Sequence, residues 1–125
     1  MEKPRTAEAK ARLLDPALLS FEADRQLQSL KEESGWMNGD RNAITMVKTD
    51  KLRVTLLALR KGASMHEHQV KGPITLFVLE GTIRFVVGKD ACTLAQQGFL
   101  SLDKAIPHDV EALTDAAFVL TIVEV

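Results

Sequence analysis

Ile74-Thr75-Leu76-Phe77-Val78-Leu79-Glu80-Gly81-Thr82-Ile83-Arg84-Phe85-Val86-Val87-Gly88-Lys89-Asp90-Ala91-Cys92-Thr93-Leu94-Ala95 is three short apolar runs separated by two breaks. The runs are rich in Val, Ile, Thr and Phe, which fit a pleated surface. The breaks, Glu80-Gly81 and Gly88-Lys89-Asp90, carry turn chemistry. The runs are too short for amphipathic helices and predict strands at 74–79, 82–87 and 91–95. The same texture extends to both sides and predicts strands at 43–49, 52–60, 99–102, 108–113 and 117–125. Turn signals separate most of these, at Thr49-Asp50-Lys51, Lys61-Gly62, Gly72-Pro73, Gln97-Gly98 and Thr114-Asp115. Short strands at regular spacing with no helices between them define an all-β sandwich or barrel.

Three of these strands, around 54–59, 76–79 and 118–123, are apolar on both faces. A strand with one wet face alternates polar and apolar residues. Something must therefore cover the outer face: an N-terminal helix, a second layer or another copy of the chain. The expected interior, from Leu56, Phe77, Leu79, Phe85, Val87 and Val110, is mainly apolar.

Residues 1–35 are rich in Ala, Leu, Glu, Lys and Arg, which favour helix. A first helix is expected over 6–14, ended by Asp15-Pro16. A second is expected over 21–33, with Ser20 as N-cap and Gly35 as its stop. Ala23, Leu27 and Leu30 give it one apolar stripe. The chain thus divides into a helical arm, 1–41, and a β domain, 42–125. Trp36 is expected to plug the gap between them, and Asp40 and Arg41 to form a surface pair.

The chain has 125 residues, 46% apolar and 26% charged, with a formal net charge of −1. A domain of that size buries a core without staples. The basic residues are dispersed among acids, which excludes a clustered nucleic-acid face or a polybasic membrane patch. No apolar run reaches the ~20 residues of a membrane span. The first residues lead into a charged stretch, not an apolar signal region. The single cysteine, Cys92, makes no internal disulfide and is expected to be buried and inert. A cytoplasmic location follows as an expectation.

All three histidines fall near strand ends. Two form the run Met65-His66-Glu67-His68, and the third stands in Ile106-Pro107-His108-Asp109-Val110. Residues two apart on a strand share a face. His66 and His68 are therefore expected to point inward together, with Glu67 outward. His108 shares a face with Val110 and Ala112, while Asp109 and Glu111 face out. Convergent imidazoles form a transition-metal site. The alternative is that they line a polar pocket or make structural hydrogen bonds. Glu80, Asp103, Asp109 and Glu111 are expected to be solvated.

These residues, in this order, resemble the cupin superfamily. Its first motif, a glycine, HxH, a glutamate and a strand closing on glycine, is similar to Gly62…His66-Glu67-His68…Phe77-Val78-Leu79-Glu80-Gly81. Its second, a glycine, a proline-bearing turn and a histidine, is similar to Gly98…Pro107-His108. The resemblance covers about residues 42–125 and implies a jelly-roll barrel, the double-stranded β-helix. It also implies His66, His68 and His108 as ligands of one divalent transition metal, with Fe, Zn or Ni suited to imidazole. Several positions depart from the motif. Three residues, not more, separate Gly62 from His66. Ile74 stands where the family's glutamate belongs. The second motif lacks a glycine before its histidine and an asparagine after it. The chain has no tyrosine, so catalysis would fall almost wholly to the metal.

Two functions are compatible with this pattern. One is a metal-binding cupin, at its most specific an oxygenase acting on a small molecule. The other is a non-catalytic sensor-type module that binds a small ligand without metal. In either case a homodimer is expected, without nucleic-acid or membrane partners.

Overall fold

The computed structural model describes residues 18–67, 72–103 and 106–124. Two helices, α1 (Ala23–Lys31) and α2 (Ser34–Met37), precede nine strands. These are β1 (Arg41–Lys48), β2 (Leu52–Leu59), β3 (Ser64–Glu67), β4 (Ile74–Glu80), β5 (Ile83–Val87), β6 (Asp90–Leu94), β7 (Phe99–Leu102), β8 (His108–Ala112) and β9 (Ala116–Val123). The predicted strands are present to within two residues at each end, and β3 adds a ninth. The expected helix over 6–14 lies outside the described residues.

The strands form two antiparallel sheets, ordered β1-β2-β9-β4-β7 and β3-β8-β5-β6. Their inner faces meet in one core. The five-stranded sheet contributes Leu59, Ile74, Leu76, Val78, Phe118 and Leu120, and the four-stranded sheet contributes Ile83, Phe85, Val110 and Ala112. Alternation fixes which residues face outward. Leu56, Ala58, Ala117, Ile44 and Met46 pack instead against Leu27, Leu30 and Trp36 of the helices, with Leu79 beside them. The helical arm is thus a third layer, and it answers why these strands are apolar on both sides. It also corrects the expected interior. Leu56 and Leu79 lie on the helix side, and Phe77 lies outward and partly exposed.

The arm is fastened by polar contacts. Asn42 Nδ2 donates to the Leu30 carbonyl and to Glu33 Oε1, at 3.0 and 2.8 Å, closing the end of α1. The helix stops at Lys31 and not at Gly35, and no side chain caps its start, where Glu22 and not Ser20 is the N-cap residue. Gly35 has a different role: a Cβ there would meet Asn42 Oδ1 at 3.0 Å. Trp36 plugs the junction as expected. The Arg60 guanidinium lies 3.8 Å above its ring and donates to its carbonyl at 2.9 Å. Lys31 pairs with Glu80 beneath the same ring.

At the opposite side of that junction Gly81 is irreplaceable. Its φ is +77°, and a Cβ would sit 2.1 Å from the Asp115 carbonyl oxygen. The close approach ties the β4–β5 turn to the β8–β9 turn, where Thr82 N–H donates to Thr114 Oγ1 at 3.0 Å.

Candidate ligand site

β8 alternates between buried and partly exposed residues, with His108, Val110 and Ala112 on the buried face. His108 follows Pro107 and is only 3% exposed. Its ring stacks on Phe85 with centroids 5.0 Å apart. Its Nδ1 lies 3.1 Å from the Ile106 carbonyl oxygen. A carbonyl only accepts, so Nδ1 carries the proton, and in the neutral ring Nε2 presents a lone pair. One turn of chain therefore fixes the tautomer and orientation of a buried imidazole.

His66 is placed differently. β3 pairs with β8 in the register Met65↔Val110, His66↔Asp109 and Glu67↔His108. Directly paired residues share a face. Met65 thus joins Val110 on the inner face, and His66 joins Asp109 on the outer one. The His66 side chain is 60% exposed, and its Nδ1 donates to the Asp109 carboxylate. The expected inward aim of His66 is not what the structure shows: its side chain lies on the outer face. The hydrophobic phase of the strand explains this: Ala63 and Met65 are its apolar positions, Ser64 and His66 its polar ones. Burying the apolar set turns His66 toward solvent.

His68 lies outside the described residues. Among the described residues, no group of three or more His, Cys, Asp or Glu side chains is gathered to hold a metal. Ile74, at the position of the family's glutamate, is an inward core residue, 1% exposed. Among the described residues, His108 is the imidazole brought to the interior, and His66 stands at the surface.

The interior opens instead into cavities where the two sheets part. Between β5–β6 and edge strand β7 lies one of about 220 Å³, lined by Phe85, Val87, Asp90, Cys92, Leu100 and Leu102 among others. It adjoins the His108–Phe85 stack through Phe85. On the other side, Ala43, Leu57, Leu59 and Met65 line a cavity of about 390 Å³ with Arg41 at its rim. There Arg41 pairs with Asp40 as expected and also donates to the Ser64 carbonyl at 2.8 Å, joining β1 to β3. The guanidinium holds the Asp40 carboxyl below the usual carboxylate range.

Cys92 is exposed, not buried. It pairs with Phe85 and so faces inward, but from the edge strand β6, whose inner face has incomplete cover. Its strand-like neighbours give its direction, and the β6 edge position explains its exposure. The other solvated carboxylates are less free than expected: Glu80 pairs with Lys31, Asp109 with His66 and Glu111 with Arg84.

This two-sheet architecture is that of the cupin superfamily. A cupin superfamily protein from Desulfitobacterium hafniense superposes with a TM-score of 0.65 at 13% identity, over 68% of this chain and 78% of that one. A conserved protein of unknown function from Streptococcus pyogenes matches more of the chain, 86% against 88% of its own, with a TM-score of 0.70 at 18% identity. Salicylate 1,2-dioxygenase from Pseudoaminobacter salicylatoxidans also gives 0.70, at 16% identity, over 82% of this chain but 34% of the dioxygenase. At these identities the likeness concerns the fold. No family model matches the sequence, and no curated protein matches it. The chain is a cupin-fold protein with an apolar, edge-opening interior and an N-terminal helical layer.

Proposed function

We propose that this protein binds a small, largely apolar ligand in the cavity between β5–β6 and β7, as a binding module and not through a three-histidine metal centre. The single observation that carries the reading is the cavity beside the His108–Phe85 stack. A concave apolar space with a few fixed polar groups is the default form of a small-molecule site. At about 220 Å³ it is smaller than the roughly 300–1,000 Å³ of drug-sized pockets. The ligand is accordingly of single-ring size.

Cys92 provides the test, because it is the only cysteine in the chain and lines the cavity. Alkylation by iodoacetamide should slow at least threefold in the presence of saturating benzyl alcohol. A rate unchanged by any ring-sized apolar probe overturns the reading. Elemental analysis of untagged protein decides the competing one. Close to one equivalent of Fe, Zn or Ni, lost in His68→Ala, would restore a metal-dependent function, including the oxygenase reading suggested by the likeness to the dioxygenase.

The homodimer is proposed on the outer face of the five-stranded sheet. Phe77 and Phe99 are cross-strand partners there, and Phe99 is 60% exposed beyond the helical layer. Light scattering at micromolar concentration should give the mass of two chains, and the mass of one chain refutes it.

A further inference from the structure

The cavity between β5–β6 and β7 has an electrostatic character that selects among small apolar ligands. Its walls are Phe85, Val87, Leu100 and Leu102, and Asp90 is the one charged residue among the described residues lining it. Asp90 is exposed at the β5–β6 turn, and among the described residues no ion pair neutralises it. Lys89, its neighbour in that turn, does not line the cavity. No cation faces the space from β5, β6 or β7.

We propose that this cavity selects a small apolar amine, a ring-sized hydrocarbon body carrying one ammonium group, over neutral and anionic ligands of equal shape. The proposal rests on the reading of the cavity as a ligand site and adds the ligand's chemical class. The hydrocarbon is held by the aliphatic and aromatic walls, and the ammonium by the Asp90 carboxylate at the mouth. A carboxylate ligand would meet Asp90 as a like charge, and no cation lines the cavity among the described residues. An alcohol would fit without gaining the ion pair. An ion pair near the surface contributes modestly, so selectivity and not high affinity is the expected signature.

Benzylamine, benzyl alcohol and benzoate have nearly the same shape and differ in charge. Their dissociation constants are to be measured by NMR titration of the full-length protein at neutral pH and low salt. Benzylamine should bind about threefold more tightly than benzyl alcohol and about tenfold more tightly than benzoate. Asp90→Asn should bring the amine-to-alcohol ratio to about one. In the unaltered protein the same ratio should shrink at about 1 M salt, where the Debye length falls to ~3 Å. If benzyl alcohol binds but benzylamine binds no more tightly, or benzoate binds best, the amine inference is overturned while the ligand site stands. If none of the three binds, both fall together.

Discussion

Replacing His66 and His108 separately by alanine distinguishes an outward histidine from an inward one. His108 is 3% exposed, stacks on Phe85 at 5.0 Å and donates to the Ile106 carbonyl at 3.1 Å. A buried ring stack contributes about 0.5–1.5 kcal/mol. A neutral hydrogen bond contributes about 0.5–1.5 kcal/mol net. Removing the ring also leaves a cavity among close-packed neighbours, whose cost adds to both. His108→Ala should therefore lose about 2–4 kcal/mol. The His66 side chain is 60% exposed and makes a surface pair with Asp109, which is 46% exposed. Such pairs contribute about 0–1 kcal/mol. The assay is urea unfolding at pH 7 with a chelator present, so that adventitious metal does not enter. With an m-value of about 2 kcal/mol/M, the His108→Ala midpoint should fall by about 1–2 M and that of His66→Ala by less than about 0.5 M, at unchanged m. Equal losses at both positions would mean that His66 also faces inward, and the register-based argument would fail.

Leu30 is fully buried between α1 and the sheet, so Leu30→Ala should cost about 2–5 kcal/mol in the same assay; a loss below about 1 kcal/mol would mean that the helical layer is dispensable. Ile74→Glu would place a carboxylate in the apolar core. It should cost about 3 kcal/mol or more by chemical denaturation, and a neutral result would remove position 74 from the core. Gly81→Ala should lose about 2 kcal/mol or more through its positive φ and its contact with the Asp115 carbonyl, read as a lower thermal midpoint. NMR titration of Asp40 should place its carboxyl below the ordinary carboxylate value, with Arg41→Ala returning it. Because the folded value is depressed, the pair's contribution is whole above the unfolded pKa and is lost as pH falls through the folded one.

The strand positions and the presence of a covering layer were legible because both rest on local chemistry. Gly81 and Gly88 mark turns that need positive φ, and β-branched runs lie between them. Two-sided apolarity at 54–59, 76–79 and 118–123 correctly implied an outer cover, and Leu27, Leu30 and Trp36 supply part of it. Which face each residue takes was less legible. β4 is apolar at nearly every position, so its period alone has no phase. Thr75 is its one early polar residue and shares a face with Phe77 and Leu79, a signal that those two point away from the inner core. The end of α1 was misread for a related reason: Gly35 looks like a helix stop, but a long-range hydrogen bond from Asn42 to Leu30 closes the helix earlier.

The site follows the same logic. The two-residue spacing of His66 and His68 settles that an unbroken strand would show them on one side, and leaves open which side. That choice is made by the partner strand, forty residues away, through Met65↔Val110. The energetics are unequal. Turning Met65 outward and His66 inward would expose an apolar side chain, bury an imidazole and separate it from Asp109. Burying a polar group without a partner costs about 1–3 kcal/mol, and an exposed methionine forfeits a gain of similar size. Ile74, Met65 and Val110 instead make the inner face apolar, and His108 becomes its fixed polar group. Ile74 turned inward and His66 turned outward thus leave an inner face of apolar side chains around His108, the interior that the proposed apolar ligand would meet.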